Sequence, residues 1–167
     1  DNPLGNYKFE SCKGAGHYSQ TLYAIPSALH QIFESYKPIS SSEFSNKIAL
    51  LPSGYVDYLE KKYSVLNEAL HLDVPIRIND FKAIEAAILK NNAFSELDQL
   101  AILADKYYPK SMLAEYELGL MYEKQEDYKK AMKRYQNASQ MQEIGALAKT
   151  MMLEKYDLML SKNAPKQ

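Results

Sequence analysis

The segment MLAEYELGLMYEKQEDYKKAMKRYQNASQMQE, residues 112–143, reads as two helices folded back on each other. A turn falls at Gln125-Glu126, and Asp127 stands where its carboxylate can cap the first amides of a second helix. Gly119 and Ala131 are small where the two helices would cross closely, whereas Tyr122 and Tyr135 are large enough to fill the space beside the crossing. Residues 80–111, DFKAIEAAILKNNAFSELDQLAILADKYYPKS, follow the same plan. There the pattern predicts a helix over 80–91, a turn at Asn91-Asn92, and a second helix opened by Ser95 with Asp98 as its capping partner. Sliding one segment onto the other by 34 residues sets Ala104 over Ala138, Ile84 over Leu118, and Ile88 over Tyr122.

Helix pairs recurring at that period resemble tetratricopeptide repeats. Leu118-Gly119, Tyr122, Ala131, Tyr135 and Ala138 fall at the spacings of that family. The preceding unit is a diverged copy: it keeps Ala104 and Pro109 but has Glu85 in place of the glycine and Leu97 in place of the first alanine. Residues 144–162, through Leu147, Met151, Met152, Tyr156 and Leu160, predict a closing helix, with SKNAPKQ as a polar tail. The resemblance implies a mainly α fold, a tetratricopeptide-like α-α superhelix of two repeats plus a closing helix over residues 78–167. Such an array presents a surface to a peptide or protein. Because arrays of this kind need about three repeats to be stable, the helices over 43–72 are expected to complete the core.

Those helices lie in a connecting region, residues 38–77. "SEFSNKIALL" and "GYVDYLEKKYSVLNEALHL" each carry an apolar stripe, the second through Val56, Leu59, Tyr63, Leu66 and Leu70, with Pro52 and Gly54 marking the break. Ser42 or Ser45 is the candidate cap. "VPIRI" at 74–78 reads as a short extended stretch.

Residues 1–37 have a different character. NYKFESCK at 6–13 alternates Tyr7, Phe9 and Ser11 with Lys8, Glu10 and Cys12, a short strand that GAG ends. His17 follows in a glycine-flanked turn. Leu22, Ile25, Leu29, Ile32, Phe33 and Tyr36 then recur at helical spacing, with Pro26 compatible only with a first turn, and the helix stops near Lys37-Pro38.

His17 admits two readings: a solvent-facing loop residue, or a base. Gly14, His17, Leu22, Leu29, Ile32, Phe33 and Tyr36 resemble the end of the serine esterases related to esterase D and the enterochelin esterases. In those α/β-hydrolases a strand, a turn bearing the triad histidine and a last helix close the sheet domain. The resemblance implies that residues 1–37 are the truncated strand-loop-helix end of an α/β-hydrolase domain in a longer chain. His17 would then be the general base of a Ser-Asp/Glu-His triad whose other members lie upstream. The nucleophile elbow G-x-S-x-G is absent, and its look-alike PSGYV at 52–56 lacks the first glycine and a preceding strand. A histidine without its nucleophile is inert, so residues 1–167 alone are expected to be inactive.

The other candidates read as structural. His30 and His71 share no metal-ligand spacing, and His71 is placed to favour a helix C-terminus. Asp57-Glu60 and Glu126-Asp127 read as solvated faces and caps, Cys12 as packing, and the tyrosines as interhelix filling with their hydroxyls reaching water. Lys+Arg 20 against Asp+Glu 21, scattered, leaves no electrostatic footprint for nucleic acid. No apolar run reaches the ~18 residues of a membrane span, and one cysteine excludes an internal disulfide framework. No metal or cofactor is implied. The expected partners are an upstream hydrolase domain of the same chain, a peptide or protein on the repeats, and a second copy through residues 1–37. A bacterial secreted or periplasmic esterase is the parent the resemblance suggests. The second function class is an independent protein-binding module.

Overall fold

The computed structural model describes residues 14, 16–34 and 36–163. Among them are eight α-helices: α1 (His17–Glu34), α2 (Ser41–Asn46), α3 (Tyr55–Leu70), α4 (Ile78–Lys90), α5 (Glu96–Tyr107), α6 (Leu113–Lys124), α7 (Tyr128–Ser139) and α8 (Lys149–Asn163), with one 3-10 turn at Ile48–Leu50. The chain is mainly helical, and the described residues contain no β-strand. Only isolated bridges occur, Ser111 with Gln142 and Ile144 with Leu147. The expected strand at 6–13, and Cys12 within it, lie outside the described residues. Two compact units are present, Asp1–Lys37 and Pro38–Gln167.

In the first unit α1 begins at His17, earlier than the spacing predicts. Gly14 turns the chain at φ 85°. The amide of Gln20 and the hydroxyl of Ser19 then both donate to the Gly16 carbonyl, at 3.0 and 2.9 Å, and close a first helical turn on it. The helix also runs through Pro26, which was expected only in a first turn. A proline there forfeits the amide bond to the Leu22 carbonyl. Leu22, Ile25 and Leu29 are 75%, 55% and 49% exposed, and Tyr18, one turn before Leu22 on the same face, is 90% exposed.

The second unit contains two helical hairpins, α4–α5 and α6–α7, closed by α8. The offset of 34 residues is kept in the packing at Ala104 and Ala138 and at Leu97 and Ala131, all fully buried, whereas Ile84 and Ile88 are fully buried and their counterparts Leu118 and Tyr122 only half-buried. Gly119 is where α6 meets α7: a β-carbon there would lie 2.6 Å from Cε1 of Tyr135. Asp127 caps α7 as its position predicts, accepting from the Lys130 amide at 3.1 Å. Val56, Leu59, Tyr63 and Leu66 bury the inner stripe of α3.

Several local expectations are corrected. Ser40, and not Ser42 or Ser45, caps the short α2 through the Glu43 amide at 3.0 Å. Ser95 adopts helical dihedrals and makes no side-chain cap, so the expected Ser95–Asp98 pair does not form. "VPIRI" is a connector rather than a strand; its backbone groups find hydroxyls instead of a neighbouring strand. Tyr108 donates to the Ile76 carbonyl at 2.7 Å, and the Arg77 amide donates to the Tyr63 hydroxyl at 3.0 Å. The closing helix starts at Lys149, not 144, because residues 144–147 form a bridged turn. In that turn Gly145 holds φ 60° against Ile78, whose Cγ2 would be 2.9 Å from an added β-carbon. The inward face of α8 is Met152 and Met159, both fully buried, whereas Leu160 is 50% exposed. Ser161–Asn163, read from sequence as tail, belong to α8, and residues 164–167 lie outside the described residues.

Carboxylates tie the connecting helices to the repeats. The N-terminus of α3 has Gly54 as its cap, which offers no side chain. Its orphan amides go instead to Glu96 of α5: Gly54 N at 2.7 Å, Tyr55 N at 2.7 Å and Val56 N at 3.3 Å. A carboxylate at a helix N-terminus also meets the positive end of the helix dipole. Asp80, 1% exposed, accepts the Ile39 amide at 2.8 Å and the Tyr63 hydroxyl at 2.7 Å.

Candidate functional site

Three places carry chemistry. The first is His17, the first residue of α1, three residues after the left-handed Gly14. Behind it lies the face of α1 on which Tyr18, Leu22, Ile25 and Leu29 are exposed. A helix with four large apolar side chains in one stripe is built to lie against another apolar surface. His30 stands exposed further along α1. His71 is the C-cap of α3 in the left-handed conformation, at the negative end of that helix.

The second is a groove of about 670 Å³ between α5 and α7, floored by α6. Its lining includes Ala101, Ile102, Ala114, Leu118 and Met141, together with Asp98, Asp105 and Glu115. Asp98, Ile102 and Asp105 fall at i, i+4 and i+7 on the open face of α5, and Ile102 is 66% exposed. Glu115 is neutralised internally, accepting from Arg134 at 2.9 Å and from the Asn137 amide at 3.0 Å. Among the described residues no Lys, Arg or His lines the groove, and Asp98 and Asp105 form no ion pair. Ile102 also borders a smaller groove of about 260 Å³, between α3 and α5, with Asp57, Glu60 and Lys106.

The third is a buried polar cluster where α4, α6, α7 and α8 meet. Tyr135 donates to Glu123 at 2.6 Å, Lys155 donates to the same carboxylate oxygen at 3.0 Å, and Tyr116 donates to Glu85 at 3.1 Å. The Lys155 ammonium also stands 5.0 Å from the Tyr135 ring centre and 6.0 Å from that of Tyr116. Burial raises the Glu123 carboxyl, but the hydrogen bonds from Tyr135 and Lys155 outweigh it and leave it below the ordinary carboxylate value. Beside it Glu117 is fully buried, with neither carboxyl oxygen hydrogen-bonded. Burial, reinforced by the charge of Glu85, pushes Glu117 well above the usual range. With no solvent exposure, Glu117 acts on the packing of these helices, and its raised carboxyl bears on their stability.

The tyrosine hydroxyls correct a further expectation. They do not simply reach water: Tyr58, Tyr63, Tyr116 and Tyr135 each donate to a carboxylate, Glu43, Asp80, Glu85 and Glu123 respectively. The pairs are remote in sequence, by 15, 17, 31 and 12 residues, and no local spacing announces them. The groove is equally hidden in the sequence, where Asp98 reads as a cap. Asp57 and Glu60 are exposed, as solvated-face residues should be. Among the described residues no three His, Cys, Asp or Glu side chains are grouped so as to hold a metal ion, and no helix is long and apolar enough to cross a membrane.

No protein-family model matches the chain, and no curated protein matches it. The chain is similar to an uncharacterised protein from Capnocytophaga ochracea DSM 7271, known from its crystal structure, with 30% sequence identity and a TM-score of 0.81. The match covers 93% of this chain and 44% of that one. More than half of that protein therefore lies outside the match. The matched share of the present chain exceeds what Pro38–Gln167 alone contains, so the similarity takes in part of the leading unit as well.

Proposed function

We propose that this chain is the C-terminal region of a serine ester hydrolase, with residues 1–37 ending an α/β-hydrolase domain and the tetratricopeptide-like array of residues 78–167 appended to it. In this reading a serine from the preceding part of the protein attacks the ester carbonyl. His17 takes the serine proton and returns it to the leaving alcohol, after which water releases the acyl group by the same route. The helical array braces the hydrolase domain or holds substrate near it.

The observation that carries the reading is the apolar stripe of α1, Tyr18, Leu22, Ile25 and Leu29, exposed directly behind a glycine turn and a histidine. The last helix of an α/β-hydrolase lies with its apolar face on the sheet, and its preceding turn carries the base. A similar protein more than twice as long as the matched region supplies room for such a domain. The repeat assignment is supported by the small-against-large packing of Gly119 on Tyr135, and by the buried Ala104 and Ala138 one period apart.

The test is hydrolysis of p-nitrophenyl esters by the full-length protein, with and without His17→Ala. Loss of turnover by about 10³-fold or more is expected for a triad base, with labelling of the serine by a fluorophosphonate reduced in parallel. Unchanged turnover in the variant, or no esterase activity in the full-length protein, removes the assignment and leaves the array as an independent binding module.

A further inference from the structure

From the α5–α6–α7 groove we infer a docking site for a basic amphipathic helix of another protein, its apolar face in the groove and its cations on Asp98 and Asp105. Ile102 stands 66% exposed on the ridge of α5. An isolated surface isoleucine needs no explanation, but this one borders a groove of about 670 Å³ that Ala101, Ala114, Leu118 and Met141 also line.

The charge of the surroundings selects the occupant. The whole chain is nearly neutral, at −1, yet the groove is lined by carboxylates without a cation. Glu115 already has Arg134, which leaves Asp98 and Asp105 as the free charges. On the far side of the Ile102 ridge stand Asp57 and Glu60. Lys106, which lines the same side, rests its ammonium 5.1 Å from the Tyr107 ring centre. A hydrophobic ridge between carboxylates on both sides repels acidic segments and favours Lys or Arg flanking an apolar residue.

Spacing narrows the shape. Asp98 and Asp105 are seven residues apart on one helix, a rise of about 10 Å. A partner helix with cations at i and i+7 and a leucine-sized residue between them has the same rise. It can lie along α5 with its apolar side chain against Ile102, Leu118 and Met141. The inference does not depend on the esterase reading, because it is tested on the array by binding and not by hydrolysis.

The experiment uses the chain of residues 1–167 and a synthetic helical peptide of lysine, leucine and alanine, with lysine at i and i+7 and leucine between. Two controls accompany it, one with glutamate replacing lysine and one with the leucines moved off the face. Fluorescence anisotropy should register binding of the basic peptide alone. The Asp98→Lys, Asp105→Lys double variant should weaken it about tenfold, as expected when two rim attractions become repulsions. A Glu154→Lys, Asp157→Lys double variant on the exposed face of α8 should bind as the parent does. In methyl spectra of the methionines, Met141 should shift, while Met152 and Met159 should not. Equal binding of the glutamate peptide, indifference to reversal at Asp98 and Asp105, or shifts confined to Met152 and Met159 would overturn the inference. So would a homodimer, seen by sedimentation equilibrium, that the double variant dissolves, because the groove would then be a self-association surface.

Discussion

Gly119 faces the ring of Tyr135 so closely that a β-carbon on residue 119 would stand 2.6 Å from Cε1 and 2.7 Å from Cδ1. On an exposed helix Gly→Ala stabilises by about 1 kcal/mol. Here the ring is fully buried and its hydroxyl is fastened to Glu123 at 2.6 Å, so it cannot swing aside without breaking that bond. Gly119→Ala should therefore destabilise the array, by about 1–3 kcal/mol as for other overpacked sites, measured by urea unfolding. In a double-mutant cycle with Tyr135→Leu the two changes should be strongly non-additive, since the smaller side chain relieves the clash. Stabilisation by Gly119→Ala would mean that α6 and α7 do not cross at this point.

The N-terminus of α3 depends on a side chain 40 residues away. Glu96 accepts three successive amides, Gly54, Tyr55 and Val56, from a helix whose own cap is a glycine. Glu96→Ala leaves these donors in a largely buried setting and should lower stability by about 2–4 kcal/mol, with Glu96→Gln intermediate because one good acceptor remains. Hydrogen exchange gives the sharper readout. The amides of residues 54–56 should lose protection in Glu96→Ala before those of α7 do. Equal loss across both regions would argue against a local cap.

How much of this was legible depends on whether an interaction is local. The α6–α7 hairpin, the cap at Asp127 and the buried stripe of α3 follow from periodicity and turn chemistry within a few residues. Ser95 with Asp98 reads as a capping box at the start of α5 and forms none, while the carboxylate that matters there, Glu96, serves another helix. Apolar spacing marks Leu160 and passes over Met159, whereas Met159 is fully buried and Leu160 50% exposed. The sequence pattern predicts a start at 144 where α8 begins at Lys149, and a helical face rotates by about 100° per residue, so adjacent residues such as these exchange inside for outside. Among candidate sites, His17 stood out by context alone. The groove on α5 did not, because Asp98, Ile102 and Asp105 acquire meaning only when α6 and α7 lie beside them.

Tyr63 links the connector before α4 to the buried Asp80. Its hydroxyl donates to Asp80 at 2.7 Å and accepts the Arg77 amide at 3.0 Å, so one oxygen joins the connector to a buried carboxylate that also accepts the Ile39 amide. Tyr63→Phe should lower stability by about 1–3 kcal/mol although no apolar area is lost. The loss should shrink in an Asp80→Asn background, where a carboxamide replaces the carboxylate that the hydroxyl serves. An effect of Tyr63→Phe below about 0.5 kcal/mol, the level of an ordinary surface change, would show that the pair is dispensable.

Glu117 should give the array an unusual response to pH. Its carboxyl is raised well above 4.5, chiefly by burial and also by the charge of Glu85, so the folded state binds this proton more tightly than the unfolded chain does. The stability it contributes is fully present below pH about 4.5 and is lost as pH rises through the folded value. Glu123 and Glu43 act in the opposite sense. Burial raises both, but hydrogen bonds from Tyr135 and Lys155 on one, and from Lys62 and Tyr58 on the other, hold them below the ordinary value. Their contribution is present above the unfolded value and lost as pH falls. The Glu117 effect is therefore isolated as a difference between the parent and Glu117→Gln. The parent should lose stability relative to the variant from about pH 4.5 upward. Glu117→Leu, which removes the buried polar group, should stabilise at pH 7 by about 1–4 kcal/mol. Tyr116, Lys155 and Glu85 also face this cluster, so Glu85→Gln should reduce the pH-dependent difference without abolishing it, because burial is the larger cause. A difference that stays flat between pH 4 and 8 would mean that Glu117 reaches water or a partner in solution.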